Sequence, residues 1–139
     1  MKYLFDASAI FRAIKENKIG LLTGNYTTEI ARYELGNIVW KDYFLQAKIS
    51  KEEAVMMIKA IKQTLNIMEV LQIASNEEAI FETSAQFKIT FYDASYAYLA
   101  KAKELQLITE DLRLIKKITP TIKAQTLNEL EQENGKKPS

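Results

Sequence analysis

Short apolar segments alternate with stretches of helical periodicity along almost the whole chain, and that alternation is the strongest constraint on its fold. "KYLF" (residues 2–5) is aromatic-rich and reads as a buried strand. Ser8 is the expected cap of a helix through "AIFRAIKEN", with Ile10 and Ile14 on one face. Gly20 breaks that pattern, and "GLLT" reads as a second short strand. From Thr27 the spacing of Ile30, Ala31, Leu35, Ile38 and Val39 predicts a long helix that continues through Phe44. A second helix starts at Ser50, where Glu53 three residues on makes a capping box. "IMEVLQI" is expected to be a strand and "SNEEAIFETSAQF" a helix, with Ser75 and Glu78 again at box spacing. A helix over "YDASYAYLAKAKEL", a strand "QLIT", a helix "DLRLIKKI" stopped before Pro120 and a last strand within "IKAQT" complete the pattern.

Strands alternating with helices predict an α/β fold with a mostly parallel sheet and helices on both faces. Sheets of that kind place their ligand sites at the carboxyl ends of the strands. The length of 139 residues suits one domain, expected over residues 1–130 and followed by a polar, flexible tail "EQENGKKPS" at 131–139.

The chemistry is bounded by what the chain lacks. It has no cysteine, which removes disulfides, thiolate zinc sites and thiol nucleophiles, and fits a reducing compartment. It has no histidine, which removes imidazole bases and histidine metal sites. There is no leader-like start and no apolar run near about 18 residues, so a cytoplasmic location is expected. Lys plus Arg is 19 and Asp plus Glu 18, so an anionic partner has to be held by a local patch or through metal ions. An enzyme of this composition acting at neutral pH has to work through carboxylates, lysines, tyrosines and hydroxyls, and carboxylates with a hard divalent cation are the simplest solution.

Three of the four aspartates fall at the ends of apolar segments: Asp6 in "KYLFDAS", Asp93 in "TFYDAS" and Asp111 in "LITEDLR". In a parallel sheet Asp6 and Asp111 emerge on one rim, and Asp93 is expected near it. Glu34 lies four residues from both Ile30 and Ile38, on the apolar stripe of its helix. A carboxylate facing a core without a partner costs several kcal/mol or takes a proton. Each acid also has an ordinary reading. Asp6 could cap the first helix, Glu110 and Asp111 could serve a helix dipole after a Thr109 cap, Asp93 stands at box spacing from Thr90, and Glu34 could lie at the solvated edge of its stripe. Singly these readings are as good as the functional one; together they do not predict the set.

"LFDASAI", "ARYELGNIVWK", "TFYDASYAYLAKAKELQ" and "LITEDLRL", in that order, resemble the PIN-domain ribonuclease family and especially its VapC-like toxins. The resemblance implies a three-layer α/β fold with a central parallel sheet. It implies an endoribonuclease dependent on Mg2+ or Mn2+ and neutralised by a small antitoxin. Asp6, Glu34, Asp93 and Asp111 match the family's acidic cluster, with Asp6, Asp93 and Asp111 as the metal ligands. Ser8 matches a small hydroxyl position beside the first aspartate, and Asn37 a polar position one helical turn after Glu34. Glu110 stands where small residues are common, as an outer ligand or a surface group.

The rival reading is a PIN-like module that binds RNA or protein without cutting, whose signature would be loss of one of the acids. A phosphatase or receiver domain is disfavoured, because "FDAS" lacks the second acid those sites use. Trp40, Tyr92, Tyr96 and Tyr98 are candidates for stacking on bases, with core or dimer packing the commoner role. Lys15 and Lys18 are read as solvated, and Met56 and Met57 as core or partner contacts. A homodimer is expected from apolar helical positions such as Val55, Ile58 and Leu65.

Overall fold

The structure, a computed structural model, describes residues 3–135. Five strands form one sheet: β1 (Tyr3–Phe5), β2 (Tyr26–Thr28), β3 (Glu69–Leu71), β4 (Gln106–Ile108) and β5 (Ala124–Gln125). Their order is β3-β2-β1-β4-β5, and every pairing is parallel. Parallel neighbours need crossovers, and the helices supply them: α1 (Ala7–Lys15), α2 (Ile30–Trp40), α3 (Lys51–Asn66), α4 (Glu77–Phe87), α5 (Phe91–Ala102), α6 (Leu112–Ile118) and α7 (Leu127–Gly135).

The strands are three residues or fewer, yet their alternation sorts the core. Tyr3, Phe5 and Ile108 face one side with residues of α1, α2, α3 and α7. Leu4 and Leu107 face the other, with Tyr96, Leu99, Leu114 and Ile118 of α5 and α6. The result is the expected three-layer α/β fold. The chain builds outward from β1 to β2 and β3, then returns to the opposite side of β1 with β4. The order therefore reverses at β1, and the crevice beyond the carboxyl ends of β1 and β4 is where such sheets bind ligands.

Several local expectations hold. The Ser50–Glu53 capping box is made in full, with Glu53 N–H to Ser50 Oγ at 3.1 Å and the return bond at 2.9 Å. α2 runs on past Trp40 as a wider π-helical turn over Lys41–Leu45. Others are corrected. "GLLT" is not a strand: Ile19–Leu21 form a 3-10 turn, and the strand is Tyr26–Thr28. Gly24 takes a left-handed conformation (φ 76°) that closes the turn. Asn25 then ties it down, its Nδ2 donating to Leu21 O at 2.9 Å. Thr27 and Thr28, β-branched, extend into the sheet rather than opening a helix. Asn76, not Ser75, precedes α4, and Ser75 sits at φ 74°, where it makes no box with Glu78. Ser8 does not cap α1; Asp6 does. Residues 131–135 of the expected tail belong to α7, and its last four residues lie outside the described ones.

Candidate acidic active site

Asp6, Glu34, Asp93 and Asp111 line one cavity of about 280 Å³, together with Ser8, Asn37, Lys41 and Tyr96. Its walls come from the start of α1, α2 and the turn that continues it, α5 and the loop after β4, elements far apart in sequence. The amino ends of α1, α5 and α6 all point here, since Asp6 and Asp111 cap two of them and Asp93 lies in the first turn of the third. Three positive dipole ends favour negative charge in this crevice.

Asp6 is fixed first. Its N–H continues the β1–β4 pairing to Ile108 O at 3.0 Å. Its Oδ1 accepts from Ala9 N at 3.0 Å and from Ser8 Oγ at 2.6 Å, so Oδ2 takes no part in the cap. Ser8 Oγ in turn accepts from Glu110 N at 3.0 Å and stands 3.4 Å from Thr109 Oγ1. Thr109 Oγ1 accepts from Asp111 N at 3.1 Å, and Asp111 Oδ1 accepts from Leu114 N at 3.1 Å. A chain of hydroxyls and amides thus links the first acid to the last. The capping reading of Asp6 is correct, whereas α6 is capped by Asp111 and not by Thr109; both aspartates also line the cavity. Capping holds each carboxylate through one oxygen.

Asp93 is different. Thr90 caps α5, accepting from Asp93 N at 3.1 Å, and leaves the Asp93 side chain to the cavity. Glu34 is half-buried on α2 and accepts a 2.7 Å hydrogen bond from Tyr96 Oη.

The charges are in tension. Burial pushes Asp6 up to about 6, against the hydroxyls of Ser8 and Thr109 and the Ala9 N–H, with a further upward push from Asp93. Burial also raises Glu34, and the nearby charge of Asp93 adds to it. Asp93 is raised by burial and then by Asp111, with Thr90 and Lys117 opposing. Asp93 is the acid that the other three share. Tyr96 is raised by burial and then by the charge of Glu34, so it remains a donor.

The donors are all oxygens, the preference of Mg2+ and Mn2+. Among the described residues no three acids stand close enough to hold an ion by themselves. A cavity of about 280 Å³ has room for a hydrated ion, at about 30 Å³ per water.

Three neighbours were not singled out from sequence as site residues. Tyr96, read as a stacking candidate, is 1% exposed and holds Glu34. Thr109 is fully buried and carries the link from Ser8 to Asp111. Lys41 lines the cavity one turn beyond Asn37. Glu110 is not part of the cavity. It pairs with Arg12 and accepts from Leu127 N at 2.9 Å, tying the loop after β4 to α1 and α7.

No family model matches the chain. It is 30% identical over 135 residues to a protein of Pyrobaculum aerophilum named Exonuclease VapC9, covering 91% of this chain and 93% of that one. It is 26% identical over 125 residues to Ribonuclease VapC3 of the same organism, covering 84% and 95%. Among solved structures it is similar to PAE2754 from Pyrobaculum aerophilum, with a TM-score of 0.81 at 24% identity over 99% of this chain and 97% of that one. VapBC2 from Rickettsia felis, bound to a DNA fragment from its promoter, shares the fold at a TM-score of 0.65 and 19% identity, covering 91% and 98%. With an all-parallel sheet, an acidic crevice at its switch point and a relative this similar over nearly the whole length, the chain belongs to the VapC family.

Proposed function

We propose that this protein is a metal-dependent endoribonuclease and the toxin of a toxin–antitoxin pair. The observation that carries the reading is the meeting of Asp6, Glu34, Asp93 and Asp111 in one cavity with the positive ends of three helices around it. The names of the relatives, one an exonuclease and one a ribonuclease, support nucleic-acid hydrolysis.

Asp6, Asp93 and Asp111 would hold a Mg2+ or Mn2+ ion in part through its waters, with Glu34 meeting it directly or through water. Bound there, the cation supplies a water of lowered pKa and offsets charge on the scissile phosphate. The protein's own residues do the placing. Ser8 and the Ala9 N–H favour the ionised form of Asp6 against its burial. Tyr96 fixes Glu34. Asn37 and Lys41 stand at the open side of the cavity, in position to meet the RNA backbone.

Partners are proposed on a separate surface. Trp40 and Phe44 stack at 5.6 Å, and Leu45 next to Phe44 in sequence and Val55, Met56 and Ile58 of α3 are exposed. Leu65, expected on the same face, is instead buried in the core. These exposed apolar residues are read as contacts for a second copy or for a small antitoxin. Expression without a partner should arrest growth, and light scattering should find a dimer.

Cleavage of a closed circular RNA tests the activity directly. An endonuclease opens the circle in Mg2+ or Mn2+ and stops in EDTA. Attack on linear RNA alone would make the enzyme an exonuclease, and RNA binding without any cleavage would make it a binding module.

A further inference from the structure

Thr28 is the last residue of β2, the strand that leads into α2 and Glu34. It is fully buried. Its neighbour Thr27, also fully buried, donates through Oγ1 to Phe5 O at 2.8 Å. Thr28 Oγ1 is instead a buried side-chain oxygen with no hydrogen-bond partner among the described residues. A buried hydroxyl left alone costs free energy that the isosteric valine would not, and valine suits a strand equally well. Alternation along β2 shows which side the hydroxyl faces. Tyr26 packs on the side of the sheet that holds Tyr96, and Thr28, two residues on, points the same way. α5 packs against β2 there. The hydroxyl that Thr28 meets is Tyr96 Oη, which is also close to the charges of Glu34 and Asp6. The two hydroxyls stand near each other without the full geometry of a bond. Each has what the other lacks: Thr28 has a free proton, and Tyr96 Oη, whose own proton goes to Glu34 Oε1, has lone pairs to accept with.

We propose that Thr28 is a positioning residue for the acidic site: its hydroxyl donates to Tyr96 Oη and so directs the single phenol proton to Glu34. A phenol proton lies in the ring plane and points to one of two sides. A donor on one side leaves it the other. Without Thr28 that proton is divided between Glu34 and the nearby Asp6, and Glu34 is freer to turn toward solvent. A donor into Tyr96 Oη also polarises the hydroxyl, which strengthens its bond to the carboxylate. Thr28 does not line the cavity, so it acts only through Tyr96 and Glu34. This rests on the nuclease reading above and adds how the site holds its glutamate.

The test is a double-mutant cycle between Thr28→Val and Tyr96→Phe, with Thr28→Ser as the variant that keeps the hydroxyl. Melting in EDTA reads the bond without metal or RNA. Thr28→Val should lower Tm by about 3 °C more in the wild type than in Tyr96→Phe, where no phenol oxygen is left to accept. Thr28→Val should also weaken Mn2+ binding, followed by calorimetry, and slow RNA cleavage, each by about fivefold, the worth of one hydrogen bond. In the Tyr96→Phe background it should change neither. Thr28→Ser should melt earlier than wild type for want of its methyl, yet keep Mn2+ binding and cleavage. A residue that serves packing alone gives the opposite order, with valine harmless and serine impaired. An equal Tm shift in both backgrounds overturns the proposal and makes Thr28 a cap or core residue at the start of α2. So do Mn2+ binding and cleavage that Thr28→Val leaves unchanged. The nuclease reading fails separately: coupling in EDTA in a wild-type protein that neither binds Mn2+ nor cuts RNA removes that reading and leaves the Thr28–Tyr96 bond standing.

Discussion

Tyr96 Oη donates a 2.7 Å hydrogen bond to Glu34 Oε1, joining the centre of α5 to the centre of α2 beneath the acidic cavity. The tyrosine is buried and the glutamate half-buried, so the bond holds a carboxylate in place that would otherwise turn to solvent. Tyr96→Phe keeps the ring and deletes the donor. A hydrogen bond to a partly solvated charge is worth about 1–2 kcal/mol, and thermal unfolding should show that loss. Cleavage should fall by about 10- to 100-fold, as for other residues that orient a ligand through one bond. Loss of stability with full activity would leave Glu34 outside the reaction.

Glu110 lies next to Asp111 and faces away from the cavity. It accepts from Leu127 N and pairs with Arg12. Glu110→Ala should cost about 1 kcal/mol through the freed Leu127 N–H. Stabilisation by added Mn2+ should be unchanged in this variant. A reduced response to the ion would place Glu110 among the outer ligands.

Asp6 gives the metal-free protein a pH dependence of definite sign. Burial raises its folded value to about 6, above the ordinary aspartate value of 3.8. The folded state therefore holds this proton more tightly. The stability contributed is full below about 3.8 and lost as pH rises through about 6, a loss of about 3 kcal/mol. Glu34 and Asp93 shift in the same direction. In EDTA the protein should melt higher at about pH 5 than at about pH 8, and Asp6→Asn should flatten the difference. Mn2+ should remove most of it in the wild type, because the ion binds the ionised form. An Asp6→Asn variant with an unchanged pH profile would contradict this assignment.

Much of this site was legible because strand ends obey a simple rule. Asp6 follows Phe5, and Phe5 pairs with Ile108, so any acid just beyond β1 or β4 reaches the same rim. Glu34 was legible as an acid on an apolar stripe. Tyr96 was not, because a tyrosine among alanines and leucines on a buried helix reads as core, and it is core as well as site. Thr109 was legible only as a helix cap, a place Asp111 takes; its role depends on Ser8, which lies 101 residues away. Lys41 depends on the π-helical turn after Trp40, which alters the angular spacing that a regular helix would give. The false strand "GLLT" shows the limit of short apolar runs: Leu22 is fully buried, as a strand residue would be, but in a turn.

The central claim is that the four acids converge to hold a cation rather than to shape helix ends. Asp93 decides it, since Thr90 already caps α5 and the charges of Asp6, Glu34 and Asp111 each couple to Asp93. Asn keeps its shape and removes its charge. Relief of repulsion at an effective dielectric of about 20, with the site partly open to water, is worth about 1–2 kcal/mol. The measurement is the melting temperature of Asp93→Asn with and without Mn2+, alongside RNA cleavage. The account predicts a higher melting temperature than wild type in EDTA, a smaller rise on adding Mn2+, and no cleavage. A variant that melts earlier in EDTA, gains as much from Mn2+ as the wild type and still cuts RNA would contradict it.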